Sequence, residues 1–163
     1  MPEIDELERQ GWRVTVVPVR PGGELVHGDG RHLLARTAAV PVISFEVLRA
    51  ALAEVARDPR AAAGAVALLR ESRGARILLK NLAVVPKAFW LARLARREGA
   101  EHVHAHWAGT SATLAMLAAR LAGIPWSLTA HRWDIAERNL LRLKSRDACF
   151  VRAISEHGAA ELR

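Results

Sequence analysis

The fold is decided by His102-Val103-His104-Ala105-His106-Trp107, a short run of alternating residues with Gly99 and Gly109 on either side. Such alternation favours a strand and glycines favour turns, so the run predicts a strand that ends in an imidazole and an indole. Beyond Gly109, hydroxyl side chains can cap a helix whose leucines recur at helical spacing as far as Gly123. The stretch therefore predicts a strand followed by a helix that lies on a sheet.

The same alternation continues towards the carboxyl end. Residues 126–130 form the next predicted strand and residues 148–154 the third, and a helix is predicted after each. The order strand, helix, strand, helix, strand, helix is typical of a parallel sheet with right-handed crossovers. We expect an α/β fold, a Rossmann-like parallel sheet flanked by helices.

Polar and aromatic side chains follow the predicted strands at the point where each one ends. His106 and Trp107 come after the first strand, and His131 to Asp134 come after the second. In an open parallel sheet, ligands bind beyond the carboxyl ends of the strands. These residues are therefore the candidate site.

Four motifs in this region follow one another in the order and at about the spacing of a known family. They are His104-Ala-His106-Trp107-Ala108, the run from Met116 to Pro125, Thr129-Ala-His131-Arg-Trp-Asp-Ile135, and Phe150-Val-Arg-Ala-Ile-Ser-Glu156. Together they resemble the amino-terminal domain of glycosyltransferase family 4, most closely the members that build bacterial exopolysaccharide. The dense part of the resemblance covers residues 100–163, and a looser likeness reaches back to the first helix.

The resemblance implies the amino-terminal half of a GT-B fold, with residues 1–163 forming a partial, acceptor-side domain. The family's first strand and phosphate-approaching loop do not precede the first predicted helix, so we expect the first strand to be lacking and the carboxyl-terminal nucleotide-sugar domain to be absent. The implied activity is retaining transfer of a sugar from a nucleotide-sugar donor to a glycan or lipid-linked acceptor in polysaccharide biosynthesis. The donor is a co-substrate, no cofactor is implied, and the chain alone is expected to be inactive.

His131 is the candidate catalytic residue. A neutral imidazole at a strand end can donate to a sugar hydroxyl or to charge that develops at the reaction centre. From position alone a structural histidine is the better interpretation. The resemblance favours the site, because the family's active-site histidine occupies the position that Thr129-Ala130-His131 matches, where it contacts the donor sugar and is not a covalent nucleophile.

The other candidates are substrate-binding residues. The family position that His106 matches faces the interdomain cleft, and ordinary packing is an equal alternative. Trp107, Arg132 and Trp133 can form an acceptor platform, since aromatic faces suit sugar rings and arginine suits phosphate, although loop packing explains them equally well. Asp134 either belongs to this site or caps the helix that follows.

A metal site is the chief chemical alternative. His102, His104 and His106 alternate along one strand and so share a face, where neighbouring imidazoles can hold a cation. Metal sites of this kind usually add carboxylates close by, whereas His102 and His104 lie inside a predicted central strand. We expect them to pack against a helix, so no metal is predicted. A histidine-rich metal-dependent hydrolase and a non-catalytic basic membrane-binding module remain the alternative functions.

Length and composition restrict the number of domains, the possible disulfides and the expected location of the protein. A chain of 163 residues with 51% hydrophobic content is long enough for one domain with a core. The single cysteine, Cys149, excludes a disulfide within the chain and is expected in the core. The sequence has no apolar run of 18 residues and an acidic start, so we expect a cytoplasmic protein, peripheral at the inner face of the membrane if its basic segment meets lipid.

That basic segment runs from Arg57 to Arg97 and holds ten basic residues against two acidic ones, in a chain of net charge +7. Two interpretations stay open: contact with an anionic membrane through its arginines together with Phe89 and Trp90, or a solvated basic face with Trp90 in the core. Nucleic acid is not an expected partner, because the basic residues alternate with leucines and not with stacking aromatics.

Upstream, the sequence predicts a helix tail at residues 4–10, a strand at 12–19 and a loop at 20–31. Ser44 can cap a helix through Arg57, which an alanine-rich helix follows. One longer helix at residues 74–99 is expected to be kinked by Pro86. The apolar face predicted for the helix after Ser44 consists of Phe45, Leu48, Leu52, Val55 and Ala56.

Overall fold

The computed structural model describes residues 2–21 and 28–162, and the chain divides into two compact units, Met1–Pro41 and Val42–Arg163. The first unit contains helix α1 (Pro2–Arg9) and a 3₁₀ helix, Gly28–Arg36. Its two helices are joined by an ion pair between Arg36 and Glu8. The predicted loop at residues 20–31 thus becomes helical from Gly28, while residues 22–27 lie outside the described residues.

The strand predicted at residues 12–19 is wrong. Only Val16 pairs, in a single parallel bridge with Thr37, where the Val16 N–H donates to Arg36 O at 2.9 Å. Pro18, two residues after Val16, has no N–H to donate, so the ladder cannot continue beyond this bridge in the carboxyl direction.

The second unit begins with helices α2 (Phe45–Arg57) and α3 (Pro59–Ala67). The Ser44 hydroxyl accepts from the Val47 N–H at 3.2 Å, which confirms the predicted cap of α2. The Asp58 carboxylate caps α3 in the same way, with Pro59 in the first turn. A short 3₁₀ helix, Leu68–Glu71, follows α3.

The long helix expected at residues 74–99 is instead two helices, α4 (Ala75–Ala83) and α5 (Val85–Glu98). Pro86 lies in the first turn of α5, where its missing N–H costs no hydrogen bond, so the proline starts a new helix and does not kink one. Gly99 ends α5 in the left-handed conformation, with φ of 64°.

Three strands form a parallel sheet in the order β1 (Val103–Ala105), β2 (Trp126–Ala130) and β3 (Val151–Ala153). Val103 is aligned with Trp126, and Leu128 with Val151. The parallel pairing predicted for these strands is confirmed. Every residue of the central strand β2 is buried.

Helix α6 (Thr110–Ala122) joins β1 to β2 and packs against α5. It is buried on almost all sides, as its alanine- and leucine-rich sequence requires. Helices α7 (Arg132–Glu137) and α8 (Leu141–Asp147) join β2 to β3, and α9 (Glu156–Leu162) follows β3. A parallel sheet flanked by helices confirms the α/β class.

Cys149 is exposed, so the prediction that it packs in the core is wrong.

In the described ranges, no helix combines the length and apolarity that crossing a bilayer needs.

Candidate functional site

The candidate site lies at the carboxyl edge of the sheet, where β1 and β2 end side by side. His106 follows β1, His131 follows β2, and the centroids of their rings are 5.2 Å apart. The sequence prediction that both residues open on one shared edge is therefore confirmed.

Trp107 completes this arrangement by stacking on His131. The ring centroids are 3.9 Å apart and the planes differ by 19°. His106 meets the indole edge-on, with 6.0 Å between centroids and 79° between planes. We call His106, Trp107 and His131 the ring cluster; Trp107 is 48% exposed, so an indole surface stays open to solvent beside the two imidazoles.

The imidazole of His131 carries an unused polar atom. Within the part of the chain that the structure describes, its Nε2 is buried and has no hydrogen-bond partner. A buried polar atom without a partner costs free energy, and such atoms collect where a ligand supplies the missing bond. The ring cluster thus has a hydrogen-bonding position to offer.

Asp134 fixes the two loops that carry the ring cluster. It is 7% exposed, and one carboxylate oxygen accepts from the His131 N–H at 2.7 Å while the other accepts from the Ala108 N–H. These bonds join the start of α7 to the loop after β1. The helix-capping role that the sequence left open is present, and a contact between Asp134 and substrate stays a prediction.

Arg132 and Trp133 are placed differently from the ring cluster. Both lie in the first turn of α7 and are exposed, Trp133 to 82%. Neither is held in place by the bonds that fix the neighbouring loop. The structure therefore brings His106, Trp107, His131 and Asp134 together and leaves these two side chains in solvent.

His102 and His104 do not pack against a helix, so that expectation is wrong. Both are exposed and bind hydroxyls on β2: His102 Nε2 lies 2.7 Å from Ser127 Oγ, and His104 Nε2 lies 3.0 Å from Thr129 Oγ1. The Phe150 ring stacks on both imidazoles. Partial burial lowers the pKa of His102, which favours the neutral ring. No group of three or more metal-ligating side chains occurs in residues 2–21 and 28–162.

Sequence reasoning missed Lys144, a fully buried cation behind the site. Its Nζ donates to Ala108 O at 2.8 Å, to Gly109 O at 2.7 Å and to Asn139 O at 2.7 Å. Burial lowers the pKa of Lys144 to about 7, although the charges of Glu137 and Asp134 act in the opposite direction. With Asp134 holding the Ala108 N–H and Lys144 its carbonyl, the loop after β1 is bound from both sides.

A second buried network lies next to this lysine. The Asn81 amide donates to Asn139 Oδ1 at 2.9 Å, and Thr113 Oγ1 donates to Asn81 Oδ1 at 2.9 Å. These bonds link α4, α6 and the turn between α7 and α8. The sequence could not predict that Asn139 is buried, because a single asparagine at this position is equally typical of an exposed turn.

In the basic segment from Arg57 to Arg97, several side chains that could meet a membrane are buried or bound within the protein. Phe89 and Trp90 are 3% and 6% exposed, and the Trp90 indole N–H donates to Glu46 at 2.7 Å, so the proposed insertion of these rings into a membrane is wrong. Lys87 is fully buried, and Lys80 pairs with Glu137 at 2.5 Å. Trp90 in the core is what the alternative interpretation expected.

Comparison of the chain with family models, with curated proteins and with solved structures gives no match.

Proposed function

We propose that the chain is the acceptor-side domain of a glycosyltransferase of the GT-B type, which moves a sugar from a nucleotide-sugar donor to a glycan or lipid-linked acceptor with retention of configuration. In this reaction the acceptor hydroxyl replaces the nucleotide at the anomeric carbon of the sugar. The resemblance of four motifs to glycosyltransferase family 4 supports the proposal, and so does the chemistry of the ring cluster.

One observation carries the proposal: the buried Nε2 of His131, without a partner in the described residues, belongs to a ring that stacks on the half-exposed indole of Trp107 at the carboxyl edge of a parallel sheet. Sugars offer an apolar C–H face and a rim of hydroxyls, which fit an aromatic ring and an imidazole respectively. In the proposed complex, Trp107 supports a sugar ring while His131 hydrogen-bonds a hydroxyl or the charge that develops at the reaction centre.

Hydrogen bonds in the loops behind the ring cluster hold its side chains in position. Asp134 binds the N–H of Ala108 and Lys144 binds its carbonyl, so the two peptide groups that flank Ala108 are both held and Trp107 is stacked on His131 without substrate. A preorganised site of this kind lowers the free energy of the transition state more than a mobile one. The proposed role of Asp134 is therefore to position these loops.

The alternative functions have less support. No observation favours a metal-dependent hydrolase over a transferase. A purely basic membrane-binding module leaves the ring cluster, with 5.2 Å between the two imidazole centroids, without a role.

The test is the variant His131→Ala in the complete enzyme. We expect turnover to fall by about two orders of magnitude or more while the thermal transition changes little, as for a lost transition-state contact. His157→Ala is the matched control, because His157 is an exposed histidine of α9 that pairs with Glu161 on the surface of the same helix. Near-normal turnover of a folded His131→Ala enzyme would remove His131 from the site.

A further inference from the structure

A second concave surface of the same unit lies at the far end of α7 from His131. It is a groove of about 1350 Å³ between α8, the turn before it and the segment before α4. Four arginines line it, namely Arg73, Arg138, Arg142 and Arg146. They come from three separate parts of the chain, so the fold and not one basic run brings them together.

The four groove arginines are not engaged by carboxylates of the described residues. None of the four guanidinium groups forms a hydrogen bond or an ion pair within residues 2–21 and 28–162, and all four are exposed. Two carboxylates, Glu71 and Glu161, line the groove against four guanidinium groups, and Glu161 also lies 2.9 Å from His157. The groove therefore has an excess of positive charge, and guanidinium groups bind phosphate oxygens through paired hydrogen bonds.

The lining between the arginines is apolar. Ile135 and Leu140 are buried at its base, while Leu141, Leu143 and Leu162 are half-buried in its walls. A free phosphate makes no use of such a lining, whereas an amphiphile places its chain there. The two kinds of lining, cationic and apolar, thus complement the two parts of a phosphorylated lipid, its phosphate and its chain.

The turn that carries Arg138 is held in a fixed conformation. Arg138 and Leu140 both have φ of 51°, the left-handed region that side chains other than glycine avoid. Asn139 between them is buried, with its amide oxygen bound by Asn81 and its carbonyl by Lys144. These two bonds hold the backbone of the turn from within, and the turn places Arg138 in the lining of the groove.

The groove and the ring cluster lie at opposite ends of one short helix. Helix α7 has six residues, begins directly after His131 and ends directly before Arg138, which at the rise of a helix is roughly 9 Å. A sugar joined to a lipid through a diphosphate can span such a distance. We propose that the groove binds the diphosphate of a lipid-linked acceptor, with the arginines on its oxygens and the leucines on the first units of its chain. This inference rests on the proposed function, since it names where that acceptor binds.

The experiment measures binding to the 163-residue chain by calorimetry, with geranyl diphosphate, inorganic diphosphate and geraniol as separate probes. We expect geranyl diphosphate to bind about tenfold more tightly than either of the others, because only it uses both the arginines and the leucines. In Arg142→Gln/Arg146→Gln the affinity for geranyl diphosphate should fall about tenfold or more. Arg60→Gln/Arg76→Gln, two exposed arginines outside the groove, is the control that should leave it unchanged.

Three results would overturn the inference: no binding of geranyl diphosphate, equal affinity for inorganic diphosphate, or equal affinity of the groove variant and the control variant. Circular dichroism of both variants checks that each one is folded. The measurement needs no turnover, so it is separate from the test of His131. Normal turnover of His131→Ala together with lost binding in the groove variant would remove His131 from the site and keep the groove, whereas an absence of sugar transfer by the complete enzyme would refute the proposed function.

Discussion

At the scale of single residues, Lys144 is the side chain on which the site geometry depends most. Its ammonium group has three N–H bonds for three carbonyl acceptors, whereas the neutral amine has only two. Hydrogen bonding therefore favours the charged form, while burial favours the neutral one and lowers the pKa to about 7. Near neutral pH, the loop that carries Trp107 is held by a group that is itself titrating.

This lysine predicts how stability depends on pH. The pKa of Lys144 in the folded chain, about 7, is below the 10.5 of a free lysine, so the folded chain loses this proton first as pH rises. Between these two values the unfolded chain binds more protons, and the contribution of Lys144 to the free energy of unfolding must rise with pH. Lys144→Met should remove this rise and, by leaving three carbonyls without a donor, cost about 3 kcal/mol of stability. Urea unfolding of both proteins across this pH range measures the difference.

A second measurement does not depend on the variant being folded. The chain has three lysines, Lys80, Lys87 and Lys144, so a carbon NMR titration of the lysine Cε signals in the unaltered protein can follow each one. The Lys144 signal should titrate with a midpoint of about 7. A midpoint near 10.5, or the same pH slope of unfolding in both proteins, would contradict the prediction.

At the scale of elements, α2 shows what sequence periodicity can and cannot predict. The helix and its Ser44 cap were predicted correctly, but the apolar face was expected to pack and is exposed, Phe45 to 83% and Leu52 to 73%. The opposite face packs on α5, burying Val47 and Glu54. Glu54 accepts from Arg96 of α5, so the face of α2 is chosen by a partner that its own sequence does not reveal.

In the candidate site, too, some residues could be predicted from the sequence and others could not. His106 and His131 could be paired from the sequence because each follows a strand, and parallel strands end at one edge. Lys144 could not be found in this way, since its three acceptors come from two loops whose approach depends on the packing of the unit. In an amphipathic helix such as α8, a lysine is normally expected in solvent.

The exposed face of α2 predicts an asymmetry in mutational cost. Val47→Ala removes two methyl groups from a fully buried position and should cost about 2 kcal/mol. Leu52→Gln changes an exposed side chain and should alter stability by less than about 0.5 kcal/mol. Urea unfolding followed by circular dichroism compares the two variants. If Leu52→Gln costs as much as Val47→Ala, the apolar face of α2 is packed and this description of the helix is wrong.

At the scale of the whole molecule, the net charge of +7 still leaves an anionic surface as a predicted partner. The structure limits how such a surface could be contacted, because Phe89 and Trp90 are buried and Arg96 is bound to Glu54 and to Leu121 O. Within the basic segment Arg57 to Arg97, the arginines that remain exposed without an ion pair in the described ranges are Arg60, Arg70, Arg73, Arg76 and Arg93. Contact with a membrane would then be electrostatic, without aromatic insertion.

This mode of contact predicts a strong dependence on salt. A basic residue near an anionic bilayer contributes roughly 1 kcal/mol, and the effect falls off within a Debye length of about 10 Å at 0.1 M salt. In a sedimentation assay, the chain should bind anionic vesicles at low salt, bind neutral ones weakly, and dissociate as salt is added. Replacing Arg60, Arg76 and Arg93 by glutamate should abolish binding, whereas replacing the same three by lysine should retain it, since the charge is kept. Equal partition onto both kinds of vesicle, unchanged by salt and by the glutamate variant, would show that this charge has no membrane role.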